Sequence, residues 1–143
     1  MNFDFFTRKN QNTKKKANAV DPDAINVTDG KSAEQFAEAY LIQNGLKYLA
    51  RNYACRGGEI DLILEKSNCL LFVEVKFRSR SDYGYAQEMV SLSKQKKIIR
   101  AAQYFLIEHP KYKNYDCRFD VIALQKTAAK IEVNWIKNAF LLE

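Results

Sequence analysis

The sequence predicts an α/β fold: a mixed central β-sheet flanked by helices, in the order α-β-β-β-α-β-β. Three observations carry this. Apolar residues recur with a helical period in two stretches, one at 33–44 and one from 91 or 93 to about 109. Short runs of strand character lie between and after them, punctuated by Gly57-Gly58 and Lys66-Ser67-Asn68. One run, 69–77, is apolar nearly throughout, which marks a strand covered on both faces at the centre of a sheet.

Taken in order, residues 1–29 read as a flexible N-terminal arm, rich in Asn, Lys, Thr and Asp without a sustained apolar period. Its Lys14-Lys15-Lys16 run suits a solvated tail or an arm that touches phosphate, and Phe3, Phe5 and Phe6 could tack its start onto the domain. Residues 30–143 form the single domain. Ser32-Ala33-Glu34-Gln35 reads as a capping box that opens the first helix, whose apolar set is Phe36, Ala37, Tyr40 and Leu41, with Gly45 as its stop. Strands are expected at 46–53, 60–64 and 69–77, followed by a polar loop at 78–90 around Gly84. The second helix places Leu92, Ile98, Ile99, Ala102, Phe105 and Leu106 on one face, and Pro110 closes it. Strands at 118–124 and 131–136 complete the sheet.

Composition excludes several classes. A chain of 143 residues with 47% hydrophobic content is long and apolar enough for one packed domain. No apolar stretch approaches the roughly 18–20 residues of a spanning helix, and no secretory signal is present, so no membrane is expected. Cys55, Cys69 and Cys117 form no CxxC pair, which argues against a zinc ribbon or a redox motif. They read as three buried thiols in a reducing compartment, hence a cytoplasmic protein. His109 is the single histidine, so His-centred catalysis is not expected and any metal must be held by oxygen ligands.

Two strands break the hydrophobic pattern. Asp61 interrupts 60–64, and Glu74 and Lys76 interrupt 69–77. Charged groups are rarely buried unless paired or bound to metal. Strand alternation puts Glu74 and Lys76 on one face, and a hairpin through 66–68 lets Asp61 lie beside Glu74. Two carboxylates there suit Mg²⁺ or Mn²⁺, and Lys76 suits a role in orienting water or steadying a phosphate. The plainer alternative is an ion pair of Lys76 with Glu74 or Asp61 that only stabilises the sheet.

The net charge of +6 is unevenly placed. Residues 59–75 carry four acids against one lysine, whereas 76–100 carry seven basic residues against two acids. Arg78, Arg80, Lys94 and Lys97 therefore read as a phosphate-binding rim beside an acidic pocket, or as solvated surface. Tyr83 and Tyr85 would pin the loop or stack on a base. Arg118 and Asp120 read first as a structural pair, with Arg118 also a candidate for phosphate.

The stretches Gly58-Glu-Ile-Asp-Leu-Ile63, Phe72-Val-Glu-Val-Lys76 with Arg78, and Arg118-Phe-Asp-Val-Ile122 resemble the YraN family of bacterial endonuclease-like proteins. The resemblance covers about 30–141 and also takes in Glu34, Asn52, Gly84, Val90, Lys94 and Asn138-Ala139-Phe140. That family looks like part of the PD-(D/E)xK superfamily, similar to archaeal Holliday junction resolvases. The resemblance implies a restriction endonuclease-like core and a metal-dependent DNA endonuclease, with branched or structured DNA as substrate. It implies Asp61 and Glu74 as metal-binding acids, Lys76 as catalytic lysine and Glu34 as a further metal ligand from the first helix. Glu59, in the Gly-Glu-Ile-Asp motif, is a secondary candidate. Resolvases act as dimers, so a homodimer is also implied, although the sequence shows no clear dimer face. The family commonly has Gly where this chain has Ala33. The rival readings are a nucleic-acid-binding protein of the same fold without activity, and a structural or interaction protein.

Overall fold

A computed structural model describes residues 19–79 and 90–141. Arg80, Tyr83, Gly84, Tyr85 and residues 1–18 lie outside the described residues.

The elements follow the expected order. Helix α1 spans Gly30–Gln43, strand β1 Lys47–Cys55, β2 Gly58–Lys66 and β3 Cys69–Arg78. Helix α2 spans Leu92–Glu108, β4 Asp116–Lys126 and β5 Ile131–Phe140. Single 3-10 turns at Pro22–Ala24 and Pro110–Tyr112 add to this frame. The sheet runs β1-β2-β3-β4-β5, with β3 central. Among the described residues, only β3 and β4 pair in parallel, because α2 carries the chain back between them, and the other neighbours are antiparallel.

Each sheet face has its own core. Leu70, Phe72, Phe119 and Val121 pack with Ile98, Ala101, Ala102 and Phe105 of α2. Leu62, Leu64, Leu71 and Val73 pack with Ala33, Phe36, Ala37 and Leu41 of α1. That two-sided burial is why β3 reads as a continuous apolar run. Gly58 sets the approach of α2. A Cβ there would lie 2.5 Å from the Lys97 carbonyl oxygen and 2.9 Å from the Ala101 nitrogen.

Four expectations are corrected. The cap of α1 is Asp29, not Ser32. Ser32 N–H donates to Asp29 Oδ1 (2.9 Å), and Asp29 N–H donates to Ser32 Oγ (3.1 Å), so the box sits one turn earlier. The last part of the expected arm is packed: Val27 is buried under α1, and Lys126 Nζ donates to its carbonyl (2.7 Å). A single apolar residue in a polar stretch has no period to reveal it. None of the three thiols is buried: Cys117 is exposed, and Cys55 and Cys69 are half-buried near strand ends. Leu92 is also exposed, because it starts α2 before the helix reaches the sheet. Among the described residues, no helix is long and apolar enough to cross a membrane.

Candidate active site

The β2–β3 hairpin turns through Ser67 and Asn68, both in the left-handed region (φ 52° and 60°). Its ladder runs from Lys66↔Cys69 to Leu62↔Val73 and stops there. One more step would set Asp61 opposite Glu74, and at that point a side chain takes over from the ladder. Val75 N–H donates to Asp61 Oδ2 (2.9 Å). The strand also rolls over here. Ile60 and Leu62, two residues apart, are buried in opposite cores, although strand alternation would put them on one face. Across from Asp61, between the pairs Arg51↔Leu62 and Tyr53↔Ile60, stands Asn52 at φ 50°. Asn adopts that left-handed conformation more readily than most residues.

Asp61 and Glu74 lie within electrostatic reach of each other. Burial first, and then the Asp61 charge, push the Glu74 carboxyl up to about 7, against the opposing pull of Lys94 and Lys76. Burial likewise raises Asp61, opposed chiefly by the Val75 N–H. Both acids are thus disfavoured as bare charges.

Lys76 lies two residues beyond Glu74. Val75 and Phe77 pack toward the α1 core, so alternation turns Glu74 and Lys76 toward the α2 side. Lys76 is half-buried, and Arg78 at the strand end is exposed.

Among the described residues, α2 brings a cation onto the acids. Ser91 caps this helix by accepting the Lys94 N–H (3.1 Å), and Lys94 in its first turn reaches back over the sheet. Lys94 Nζ lies 3.4 Å from Glu59 Oε2 and 3.7 Å from Glu74 Oε2. Burial opposes its charge, but Glu74, Glu59 and Asp61 outweigh burial and hold the ammonium above its ordinary range. Expected as a rim residue for phosphate, Lys94 is instead engaged by the acids. A surface reading of 76–100 treats each cation as free, and only the docking of α2 reveals the pairing.

Glu34 stands in the first turns of α1, half-buried, with its carboxyl raised by burial and then by the charges of Asp61 and Glu59. Glu34 of α1 and Lys94 of α2 thus both stand within electrostatic reach of Asp61. Among the described residues, no three His, Cys, Asp or Glu side chains form a group able to hold a metal ion. The Asp61–Glu74 pair fits a divalent ion that keeps much of its water, as Mg²⁺ does with one or two carboxylates. It does not form a closed cage.

Arg118 does not join this site. Its guanidinium donates to both Asp120 oxygens, Nε to Oδ1 at 2.9 Å and Nη2 to Oδ2 at 2.8 Å. Trp135 Nε1 and the Asn138 N–H donate to the same carboxylate, each at 2.9 Å. Asp120 is fully buried, so these four bonds satisfy it and tie β4 to β5. Arg118 is held by this network. Lys97 is exposed on α2.

The chain matches the model of the uncharacterised protein family UPF0102 over residues 33–124. A UPF0102 protein of Saccharophagus degradans is 52% identical over 113 residues, covering 79% of this chain and 92% of the relative. One from Acinetobacter baumannii (strain AYE) is 45% identical over 126 residues, covering 80% and 95%. One from Pseudomonas putida (strain GB-1) is 42% identical over 120 residues, covering 83% and 98%. The matched span contains Glu34, Glu59, Asp61, Glu74, Lys76 and Lys94.

Proposed function

The chain belongs to the uncharacterised protein family UPF0102, and from that premise we propose a metal-dependent DNA endonuclease, a hydrolase of phosphodiester bonds acting on branched or structured DNA. The observation that carries this reading is the approach of two half-buried acids, Asp61 and Glu74, where the β2–β3 ladder stops. Two carboxylates with raised proton affinity side by side are costly to a fold unless a cation is to be held there.

Asp61 and Glu74 would hold Mg²⁺ or Mn²⁺, and Glu34 lies within electrostatic reach of the same place. When bound, such an ion polarises a phosphoryl oxygen and lowers the pKa of water. Asp61 is aimed by the Val75 N–H, which keeps one of its oxygens on the backbone. Lys76 shares Glu74's side of the strand, where an ammonium can orient water and offset charge on phosphate. Glu59 holds Lys94, and Lys94 offsets the acids until a cation or substrate does so.

A second reading is a nucleic-acid binder of the same fold without hydrolysis. Two observations favour it: Lys94 already serves as the acids' cation, and no third ligand closes on the pair among the described residues. Incubation of linear and four-way-junction DNA with Mg²⁺ or Mn²⁺ separates the two. Cleavage by the native chain, lost in Lys76→Ala and Asp61→Asn variants that still fold, supports the hydrolase. Salt-sensitive binding with no cleavage under either metal leaves the binder.

A further inference from the structure

We infer that the flank of α2 meeting the β1–β2 turn is a docking surface for a nucleic-acid backbone, with Arg56, Lys97 and Arg100 as its phosphate contacts. This deepens the endonuclease reading, on which the direction of the bound strand rests.

The surface is assembled by close packing. Gly57, at φ 80°, brings the turn against α2, where a Cβ would lie 3.2 Å from Arg100 Cδ. Gly58, the next residue, is pressed to the helix backbone at Lys97 and Ala101. Arg56 directly precedes both glycines in this turn, and Lys97 and Arg100, which the glycines meet, lie one helical turn apart. All three are exposed.

Their charges are also unspent. Four cations among the described residues are committed to carboxylates: Lys47 to Glu65, Arg51 to Glu38, Lys94 to Glu59 and Glu74, and Arg118 to Asp120. Among the described residues, Arg56, Lys97 and Arg100 take part in no ion pair. Exposed cations from two elements, without counter-ions, suit a polyanion with repeated charges.

Position favours nucleic acid over other anions. Lys97 lies three residues after Lys94, which touches Glu59 and Glu74, and Arg56 lies three before Glu59. A backbone laid along this flank runs directly to the acid pair.

The test is equilibrium binding of a short DNA duplex by anisotropy across a salt series, in EDTA so that cleavage plays no part. Arg56→Gln/Lys97→Gln/Arg100→Gln keeps polar side chains but removes three charges. Lys111→Gln/Lys113→Gln/Lys137→Gln removes as many exposed charges elsewhere. The first variant is expected to lose affinity and to flatten the plot of log K against log salt by about 3, near 0.9 per lost contact. The second should bind like the native chain. Equal behaviour of the two variants, or no duplex binding by the native chain, overturns the proposal. So does tighter binding of the native chain to phosphatidylserine vesicles than to DNA, with the same loss in the first variant. If the surface behaves as expected while no metal supports cleavage, the docking site stands and only the hydrolase reading falls.

Discussion

Lys94 Nζ of α2 lies 3.7 Å from the Glu74 carboxylate of β3, and the same nitrogen lies 3.4 Å from Glu59. One lysine from a helix N-terminus thus answers acids from two strands. It lowers the proton affinity that burial and Asp61 raise in Glu74. This contact links the docking of α2 to the charge state of the candidate site.

Removal of that cation is expected to move Glu74 further. In Lys94→Met the Glu74 midpoint should rise above about 7, since the opposing pull of the ammonium is gone. A carboxyl NMR titration of native and variant protein measures it. An unchanged midpoint would show that the pair carries no energetic coupling.

Stability should depend on pH in a definite direction. The folded-state pKa of Glu74, about 7, lies above the ordinary 4.5, and Asp61 is raised as well. Between those values the native state holds protons that the unfolded chain releases, so stability grows as pH falls from about 8 toward 5. Glu74→Gln is expected to flatten this rise and to stabilise the fold at pH 8 by on the order of 1–3 kcal/mol. Urea unfolding across that range gives the slope.

Asp120→Ala should be among the most damaging single changes. It strips the partner from Arg118, Trp135 Nε1 and the Asn138 N–H together. A loss of roughly 3–5 kcal/mol is expected, because a charge held in a buried network is left without its partner. Thermal melts of the variant, alone and with Arg118→Met, read this cost and its non-additivity.

Gly58→Ala tests how α2 is positioned. The obstructing atoms are helix backbone, so the helix must move rather than a side chain rotate. A destabilisation of about 1–3 kcal/mol is expected, the usual cost of overpacking. Because Lys94 and Lys97 ride on that helix, duplex binding should weaken too. A variant as stable as the native chain would mean that the strand and helix separate at little cost.

Much of this was legible in the sequence for plain reasons. The helical period around Phe36 and around Phe105 and the apolar run of β3 are local records of which faces are covered. The 66–68 turn sets the hairpin register, so Asp61 had to arrive near Glu74. The family was legible on the same residues. Other features depend on which partner a residue meets once the chain is folded. Ser32 looked like a cap because the pattern that follows it also fits a box, but the carboxylate of Asp29 is three residues upstream. Val27 is buried only because α1 and β4 close over it.

By itself, then, the sequence determined the element order, the central strand and the pairing of the two acids, because each rests on spacing within a strand, a helix or a single turn. Tertiary structure decided which cation meets those acids. Lys94 reads as a surface charge for phosphate, but the docking of α2 carries it onto Glu59 and Glu74. Coulomb energy depends on separation in space and on burial, and neither quantity is written in the order of residues along the chain.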